Sequence, residues 1–88
     1  MPKQRRLASF LKEYRIKSAL SQADVAVLLK YSTPQFISNW ERGVSSPPLD
    51  KLSQLIEIYR ISREELIDIM LDEARDHLEK SIPRKKMA

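Results

Sequence analysis

The side chains with the clearest capacity for chemistry lie in one short segment, residues 34–42, with the sequence PQFISNWER. If this segment is helical, Ile37 and Trp40 lie three residues apart on one face, and that face is buried. The opposite face then presents Pro34, Gln35, Ser38, Asn39 and Arg42. Two amides, a hydroxyl and a guanidinium are suited to hydrogen bonds with base edges and phosphates. The one acid of the segment, Glu41, is expected to point inward.

Other kinds of chemistry find little support in the sequence. The chain has no cysteine, which excludes a thiolate zinc site, and its one histidine, His77, has no second ligand nearby in sequence. Gly43 is the only glycine, so no glycine-rich phosphate loop exists. Seven acids near the end are interpreted as a solvated helix face: Glu64, Glu65, Asp68, Asp72, Glu73, Asp76 and Glu79. The sequence therefore predicts a chain without catalytic residues, metal or cofactor.

Length and charge narrow the class of protein further. The 88 residues suffice for one compact domain, and no apolar run approaches the ~20 residues that cross a bilayer. The net charge is +4, and most of the positive charge lies in residues 1–42 and 83–88, whereas residues 43–82 are acidic. This asymmetry indicates a polyanion partner, although it could also serve solubility alone. The lack of cysteine fits a reducing cytoplasm.

Helical periodicity runs through the whole chain and predicts five helices without a sheet. The first spans about Gln4 to Lys17, and the second follows the N-cap Ser21, with Val25, Ala26, Leu28 and Leu29 as its buried side. Thr33-Pro34 starts the third helix, and Gly43 ends it as a left-handed residue. The fourth covers about Leu49 to Tyr59. The fifth follows the capping box Ser62-Arg63-Glu64-Glu65 and reaches about Ser81.

Several separated motifs in the right order resemble one family. They are LKEYR at 11–15, LSQ at 20–22, ISNWERG at 37–43, Pro48-Leu49 with Leu52 and Leu55, and Ile61-Ser62 leading into Glu65-Leu66. Over roughly Leu7 to Leu71 the chain is similar to the Cro and phage-repressor type of helix-turn-helix domain, also called the xenobiotic-response-element type. The resemblance implies an all-α, five-helix lambda-repressor-like DNA-binding domain with an extended C-terminal fifth helix.

The resemblance also implies boundaries and residue roles. The domain would cover residues 1–71 with its helix-turn-helix at 21–43, followed by a helical extension at 72–82 and a basic tail at 83–88. Gln22 matches a phosphate contact, Gln35 and Asn39 match base-contacting positions, and Arg15 with Glu41 matches a buried ion pair of architectural role. The full set of expected DNA contacts is Gln22, Thr33, Pro34, Gln35, Phe36, Ser38, Asn39, Arg42 and Ser45.

For several of these residues the sequence leaves two interpretations open. Phe36 either fills part of the small core or touches a thymine methyl group. Arg42 either binds a phosphate or complements the end of its own helix. Ser45 and Ser46 either donate to phosphates or are simply loop residues. Lys3, Arg5 and Arg6 either form an arm that reaches a DNA groove or are a solvated chain start.

Three features depart from the family pattern. The interval from Gln22 to Gly43 is one residue longer than usual, and the extra residue fits best in the turn at 30–33. Lys30 stands where the family usually has glycine, and the longer turn is expected to remove the need for a left-handed backbone there. Pro34 occupies a position that often carries a base-contacting side chain, so fewer residues would contact bases directly.

The last helix carries an apolar stripe formed by Ile67, Met70, Leu71, Ala74 and Leu78. It either packs back on the domain or forms a homodimer contact, and a homodimer suits a palindromic operator. The sequence thus predicts a double-stranded-DNA-binding regulator, expected to repress by blocking promoter access because 88 residues leave no room for a sensor domain. The alternatives are a protein-interaction module on the same fold, or an antitoxin that binds both DNA and a toxin.

Overall fold

The computed structural model describes residues 6–82, and within that range it contains five α-helices and no strand. The helices are α1 (Leu7–Lys17), α2 (Gln22–Leu28), α3 (Gln35–Glu41), α4 (Leu49–Tyr59) and α5 (Arg63–Ser81). This confirms the all-α prediction, and α5 ends at the predicted residue. Helix α1 begins at Leu7. The predicted start at Gln4, the proposed arm residues Lys3 and Arg5, and the basic tail at 83–88 lie outside the described residues.

The core is built from apolar side chains of all five helices. The buried set is Leu7, Phe10, Leu11, Val25, Ala26, Leu29, Ile37, Trp40, Leu52, Leu55, Tyr59, Ile61, Leu66 and Ile69. The prediction that Leu28 is buried is wrong, because this side chain is exposed. Successive side chains are rotated by about 100° around the helix axis. Leu28 therefore lies on one side of Val25, whereas Ala26 and Leu29 lie on the other side. The core covers only the side of Ala26 and Leu29.

The N-cap serines of α2 and α5 cap these two helices with their side chains. Ser21, the predicted N-cap, forms a capping box with Asp24 on α2, in which the Ser21 hydroxyl accepts from the Asp24 N–H and the Asp24 carboxylate accepts from the Ser21 N–H, both at 2.9 Å. These two hydrogen bonds lower the pKa of Asp24. The Ser62 hydroxyl accepts from the Glu65 N–H at the start of α5. Helix α3 begins at Gln35 with Pro34 as its N-cap residue, and the Thr33 hydroxyl accepts from the Gln35 N–H at 3.2 Å.

Left-handed residues end four of the helices, and only one of them is glycine. Gly43 (φ 76°) ends α3 as predicted, with the Val44 N–H bonded to the Asn39 carbonyl and the Gly43 N–H to the Trp40 carbonyl. The same type of end follows α1 at Ala19 (φ 59°) and α2 at Lys30 (φ 66°), and Arg60 (φ 55°) follows α4.

The expectation that Lys30 avoids a left-handed backbone is therefore wrong. The longer turn does not relax this position, because the Tyr31 N–H bonds back to the Ala26 carbonyl at 2.8 Å and the Lys30 N–H to the Val27 carbonyl at 3.1 Å. Both bonds satisfy carbonyls at the end of α2 that would otherwise lack a partner, and they form only when Lys30 is left-handed.

Helix α1 packs against α3, α4 and α5. Helix α2 packs against α3. The Glu73 carboxylate accepts from the Leu7 N–H at 2.8 Å and so caps α1, and Glu65 accepts from the Tyr14 hydroxyl at 3.0 Å. These two acids thus hold α5 against α1, which corrects the interpretation of the acidic residues of α5 as a purely solvated face.

The left-handed helix ends lead to a pair of opposite predictions for stability. Ala19→Gly is expected to stabilise the fold by about 0.5–1 kcal/mol, because glycine adopts a positive φ without the steric cost that alanine carries. Gly43→Ala is expected to destabilise it by about 1–2 kcal/mol through the same backbone cost. A Cβ at Gly43 would meet only the Ala8 Cβ at 3.9 Å, so steric overlap is no confounding factor. Thermal unfolding of both variants measures the effect, and changes of equal sign would contradict it.

Candidate nucleic-acid interface

Helices α2 and α3 form a two-helix unit whose second helix has a buried and an exposed face. Ile37 and Trp40 are buried beneath α3. On the opposite side Pro34, Gln35 and Arg42 are exposed, and Ser38 and Asn39 are partly exposed. The structure therefore places the polar side chains of α3 toward solvent, as the three-residue spacing of Ile37 and Trp40 predicts.

An ion pair on the buried side of α3 fixes this helix against α1. The Arg15 guanidinium of α1 donates to both Glu41 carboxylate oxygens, from Nε at 2.7 Å and from Nη2 at 3.1 Å. The Glu41 side chain is only 3% exposed and that of Arg15 12%. The hydrogen bond to Glu41 raises the pKa of Arg15. This two-pronged contact fixes both the distance and the orientation of α3 relative to α1.

Two further groups join this pair and extend it to the start of α2. Gln22 Nε2 donates to Glu41 Oε1 at 3.0 Å, and Arg15 Nη1 donates to the Leu20 carbonyl at 2.9 Å. Burial and the negative charge of Glu41 raise the pKa of Tyr59 on α4. The Gln22–Glu41 bond is not evident from the sequence, since 19 residues separate the two. It holds the Gln22 amide at the edge of the α3 surface.

The exposed polar side chains of α3 form a connected hydrogen-bond chain. Asn39 Oδ1 accepts from Gln35 Nε2 at 3.0 Å and from Arg42 Nη2 at 2.8 Å, while Arg42 Nε donates to Ser38 Oγ at 3.3 Å. Asn39 is thus at the centre of the group. These contacts hold four of the predicted site residues in one row along the helix, and all four are able to form hydrogen bonds with nucleic acid.

Two shallow concavities lie at the two ends of α3. The first, of about 370 Å³, is lined by Gln22, Thr33, Pro34, Gln35 and Ser38, which are five of the predicted contact residues. The second, of about 480 Å³, lies beyond the C-terminal end of α3 and is lined by residues that include Arg42, Ser45 and Ser46. The structure therefore gathers most of the predicted contacts around one helix, and Arg6 and Ser9 from the start of α1 join the second concavity.

An aromatic cluster lies at the turn between α2 and α3. Phe36 is 51% exposed, so it does not fill the core, and its ring contacts Tyr31 at 4.7 Å between centroids. Tyr31 in turn contacts the buried Trp40 edge-on at 5.9 Å. Lys51 of α4, which sequence reasoning missed, lies 5.1 Å over the Tyr31 ring and donates to the Leu29 carbonyl at 3.3 Å. No sequence pattern links Lys51 to the turn, because only the packing of α4 brings it there.

The electrostatic setting favours an anionic partner at α3. The single carboxylate of α3, Glu41, is buried and paired, so the exposed side carries the positive charge of Arg42. Glu73 reaches the second concavity, but it accepts from the Leu7 N–H and lies 4.0 Å from Arg6, which offsets its charge. Among residues 6–82 no group of histidines and acids is arranged to hold a metal ion. None of the helices in that range could span a membrane.

Comparison with known proteins shows a match to a protein family. A family model described as helix-turn-helix matches residues 11–66, which is more than half of the chain and includes α2, the turn and α3. No match was found among curated proteins, and none among solved structures.

The buried Glu41 leads to a prediction about folding. Glu41→Ala is expected to destabilise the fold by about 3–5 kcal/mol, because the Arg15 guanidinium would remain largely buried without its carboxylate. Urea unfolding measures the change. Glu64→Ala is the matched control, since its pair with Arg63 is exposed and its loss is expected to cost less than about 0.5 kcal/mol. The double variant Arg15→Met/Glu41→Leu is expected to regain most of the stability, and equal losses in Glu41→Ala and Glu64→Ala would contradict the prediction.

Proposed function

The chain belongs to the Cro and phage-repressor (xenobiotic-response-element) family of helix-turn-helix domains, which implies DNA binding, and from this premise we propose that it is a sequence-specific transcription regulator of double-stranded DNA. In this proposal α3 enters the major groove, and two copies bind a palindromic operator. Occupation of the operator would block the promoter, which makes the protein a repressor.

The observation that carries the proposal is the exposed row of Gln35, Ser38, Asn39 and Arg42 above a buried, ion-paired underside. Gln35 and Asn39 would contact base edges, since amides pair with the N6 and N7 positions of adenine. Gln22, Arg42 and Ser45 would hold phosphates at the two ends of α3. Thr33, Pro34 and Ser38 would contact the groove beside them, and Phe36 would meet a thymine methyl group.

The hydrogen bonds of the free protein suggest how base contact would begin. Asn39 Oδ1 accepts from both Gln35 and Arg42, yet pairing with adenine needs this oxygen to accept from the base. Arg42 would therefore turn to a phosphate and Gln35 to a neighbouring base as DNA enters. In the free protein, hydrogen bonds among these side chains hold the row in position. On binding, hydrogen bonds to DNA would replace them.

A second candidate function has one observation in its favour. The exposed Phe36 ring and its neighbour Tyr31 form an aromatic surface at the turn, of a kind enriched in protein-protein contacts. A protein-interaction module, or an antitoxin that binds both DNA and a toxin, would use this surface. Stoichiometric co-purification of a protein through this surface, with no retention of DNA, would favour the module over the regulator.

The deciding experiment is selection of DNA from a random pool by the purified chain, followed by a salt titration on the selected and on a scrambled duplex. A symmetric enriched motif with binding that weakens steeply as salt increases is the expected result. Failure to enrich any motif, with no binding at low salt, would overturn the proposal.

Asn39 provides the test of base contact. Asn39→Ala is expected to weaken binding to the selected site by about 1–3 kcal/mol and to leave scrambled DNA unaffected. Gln54→Ala is the matched control, because Gln54 is an exposed amide on α4 with no predicted DNA contact. Fluorescence anisotropy on both duplexes measures the difference. Equal losses on the two duplexes would show that Asn39 makes no sequence-specific contact.

Arg42 provides the test of phosphate contact. Arg42→Ala is expected to weaken binding to every duplex and to reduce the slope of log K against log salt by about 0.9, the value for one phosphate. Lys80→Ala removes the same charge at the far end of α5 and is expected to leave the slope unchanged. An unchanged slope in Arg42→Ala would assign Arg42 to the end of its own helix instead.

A further inference from the structure

Phe36 is an apolar residue of α3 that the domain leaves half exposed. At about 100° per residue, its side chain lies about 60° around α3 from that of Asn39, at the edge of the row formed by Gln35, Ser38, Asn39 and Arg42. The ring therefore borders the surface proposed for base contact. An exposed apolar side chain is common in itself, so the contacts that hold this ring decide its significance.

The Phe36 ring packs on a second ring, which is itself held by the core. The centroids of Phe36 and Tyr31 are 4.7 Å apart with 30° between the ring planes, and Tyr31 meets the buried Trp40 edge-on at 5.9 Å and 67°. Both distances are those of favourable aromatic pairs. Because an aromatic side chain has few rotatable bonds, a ring held in this way loses little entropy when a ligand contacts it.

Lys51 of α4 holds Tyr31 in this position. Its Nζ lies 5.1 Å over the Tyr31 ring, an attractive arrangement, and donates to the Leu29 carbonyl at 3.3 Å. The Tyr31 backbone is fixed as well, because its N–H bonds to the Ala26 carbonyl at 2.8 Å. The position of the Phe36 ring therefore depends on a lysine of another helix, which acts on it through Tyr31.

We propose that Phe36 is a specificity-determining residue that selects pyrimidine bases with a C5 methyl group, and that Tyr31 and Lys51 are its positioning residues. The bases of this class are thymine and 5-methylcytosine, which carry the same methyl group at the same edge of the major groove. The inference rests on the proposed function and extends it, since methylation of a cytosine beside Phe36 would then strengthen binding.

The place of Phe36 on α3 favours a base over a protein as the group that covers the ring. Around α3 it lies between Asn39 on the exposed side and Trp40 on the buried side, and along the axis it is about 4.5 Å from Asn39. Successive bases of one strand are about 3.4 Å apart, so with α3 in the major groove Phe36 reaches the base next to the one that Asn39 contacts. A protein on Phe36 would cover Asn39 as well and leave the row unable to meet DNA.

Replacement of thymine by deoxyuridine tests the inference, because it removes the methyl group and keeps every hydrogen-bonding group. On the selected site, each thymine is replaced in turn and the affinity is measured by fluorescence anisotropy. One thymine in each half-site is expected to show a loss of about four-fold, which corresponds to the burial of one methyl group. At that position, a 5-methylcytosine–guanine pair is expected to bind about four-fold more tightly than a cytosine–guanine pair. A site without any such position would overturn the proposal.

Phe36→Ala assigns the effect to its residue. It is expected to bind the thymine and deoxyuridine duplexes equally well, and the exposure of Phe36 makes a loss of folding unexpected. Leu28→Ala is the matched control, because Leu28 is 50% exposed against 51% for Phe36, lies on α2 and has no predicted DNA contact. A thymine preference that persists in Phe36→Ala would overturn the proposal.

Lys51→Met tests the positioning role. Methionine keeps an unbranched side chain but removes the ammonium group, so the four-fold preference for thymine is expected to fall to about two-fold or less. Lys17→Met is the matched control, since Lys17 Nζ lies 5.0 Å over the Tyr14 ring and the same kind of contact is lost elsewhere. Loss of a positive charge alone weakens binding to both duplexes alike and leaves the preference unchanged. An unchanged preference in Lys51→Met would overturn the positioning role.

Failure of this inference and failure of the proposed function give different results. Salt-dependent binding to a selected motif, without any effect of the C5 methyl group, would remove the role of Phe36 and leave the regulator in place. Absence of a motif and of DNA binding would remove the regulator, and the inference with it.

Discussion

The arrangement of this protein depends on one buried carboxylate. A charge that is almost fully removed from water is stable only when donors surround it, and Glu41 meets two N–H groups from Arg15 and one from Gln22. These donors come from α1 and from the first residue of α2, so a single side chain of α3 fixes its own helix against both. Because these contacts lie on the buried side of α3, the polar groups on its exposed side are not needed to hold the helix in place.

Hydrogen-bonded carboxylates also join α5 to α1. Helix α1 contacts both α3 and the acidic α5, and two acids of α5 hold α1 by accepting from the Leu7 N–H and from the Tyr14 hydroxyl. Two acids of α5 therefore stabilise the domain by holding α1. A helix N-terminus is a favourable place for a carboxylate, which explains why Glu73 adopts this position.

The short connections between helices show how the domain closes with a single glycine. Ala19, Lys30 and Arg60 adopt the left-handed conformation, each at a steric cost of about 1–2 kcal/mol. The backbone bonds that these residues permit satisfy carbonyls at the helix ends, and tight packing of the following residue into the domain offsets the strain. At Lys30 this geometry also sets Tyr31 under Phe36, so the strained turn and the exposed aromatic ring arise together.

The sequence by itself determined the helices, their caps, the end of α3 at Gly43 and the two faces of α3, because these follow from local periodicity and from hydrogen bonds within a few residues. The tertiary structure alone decided that Leu28 and Phe36 are exposed, that Lys30 is left-handed, that Gln22 bonds to Glu41 and that Glu73 caps α1. Periodicity gives the angle of a side chain around its helix, but which angle is covered depends on neighbours distant in sequence. Only the packed domain brings those neighbours together.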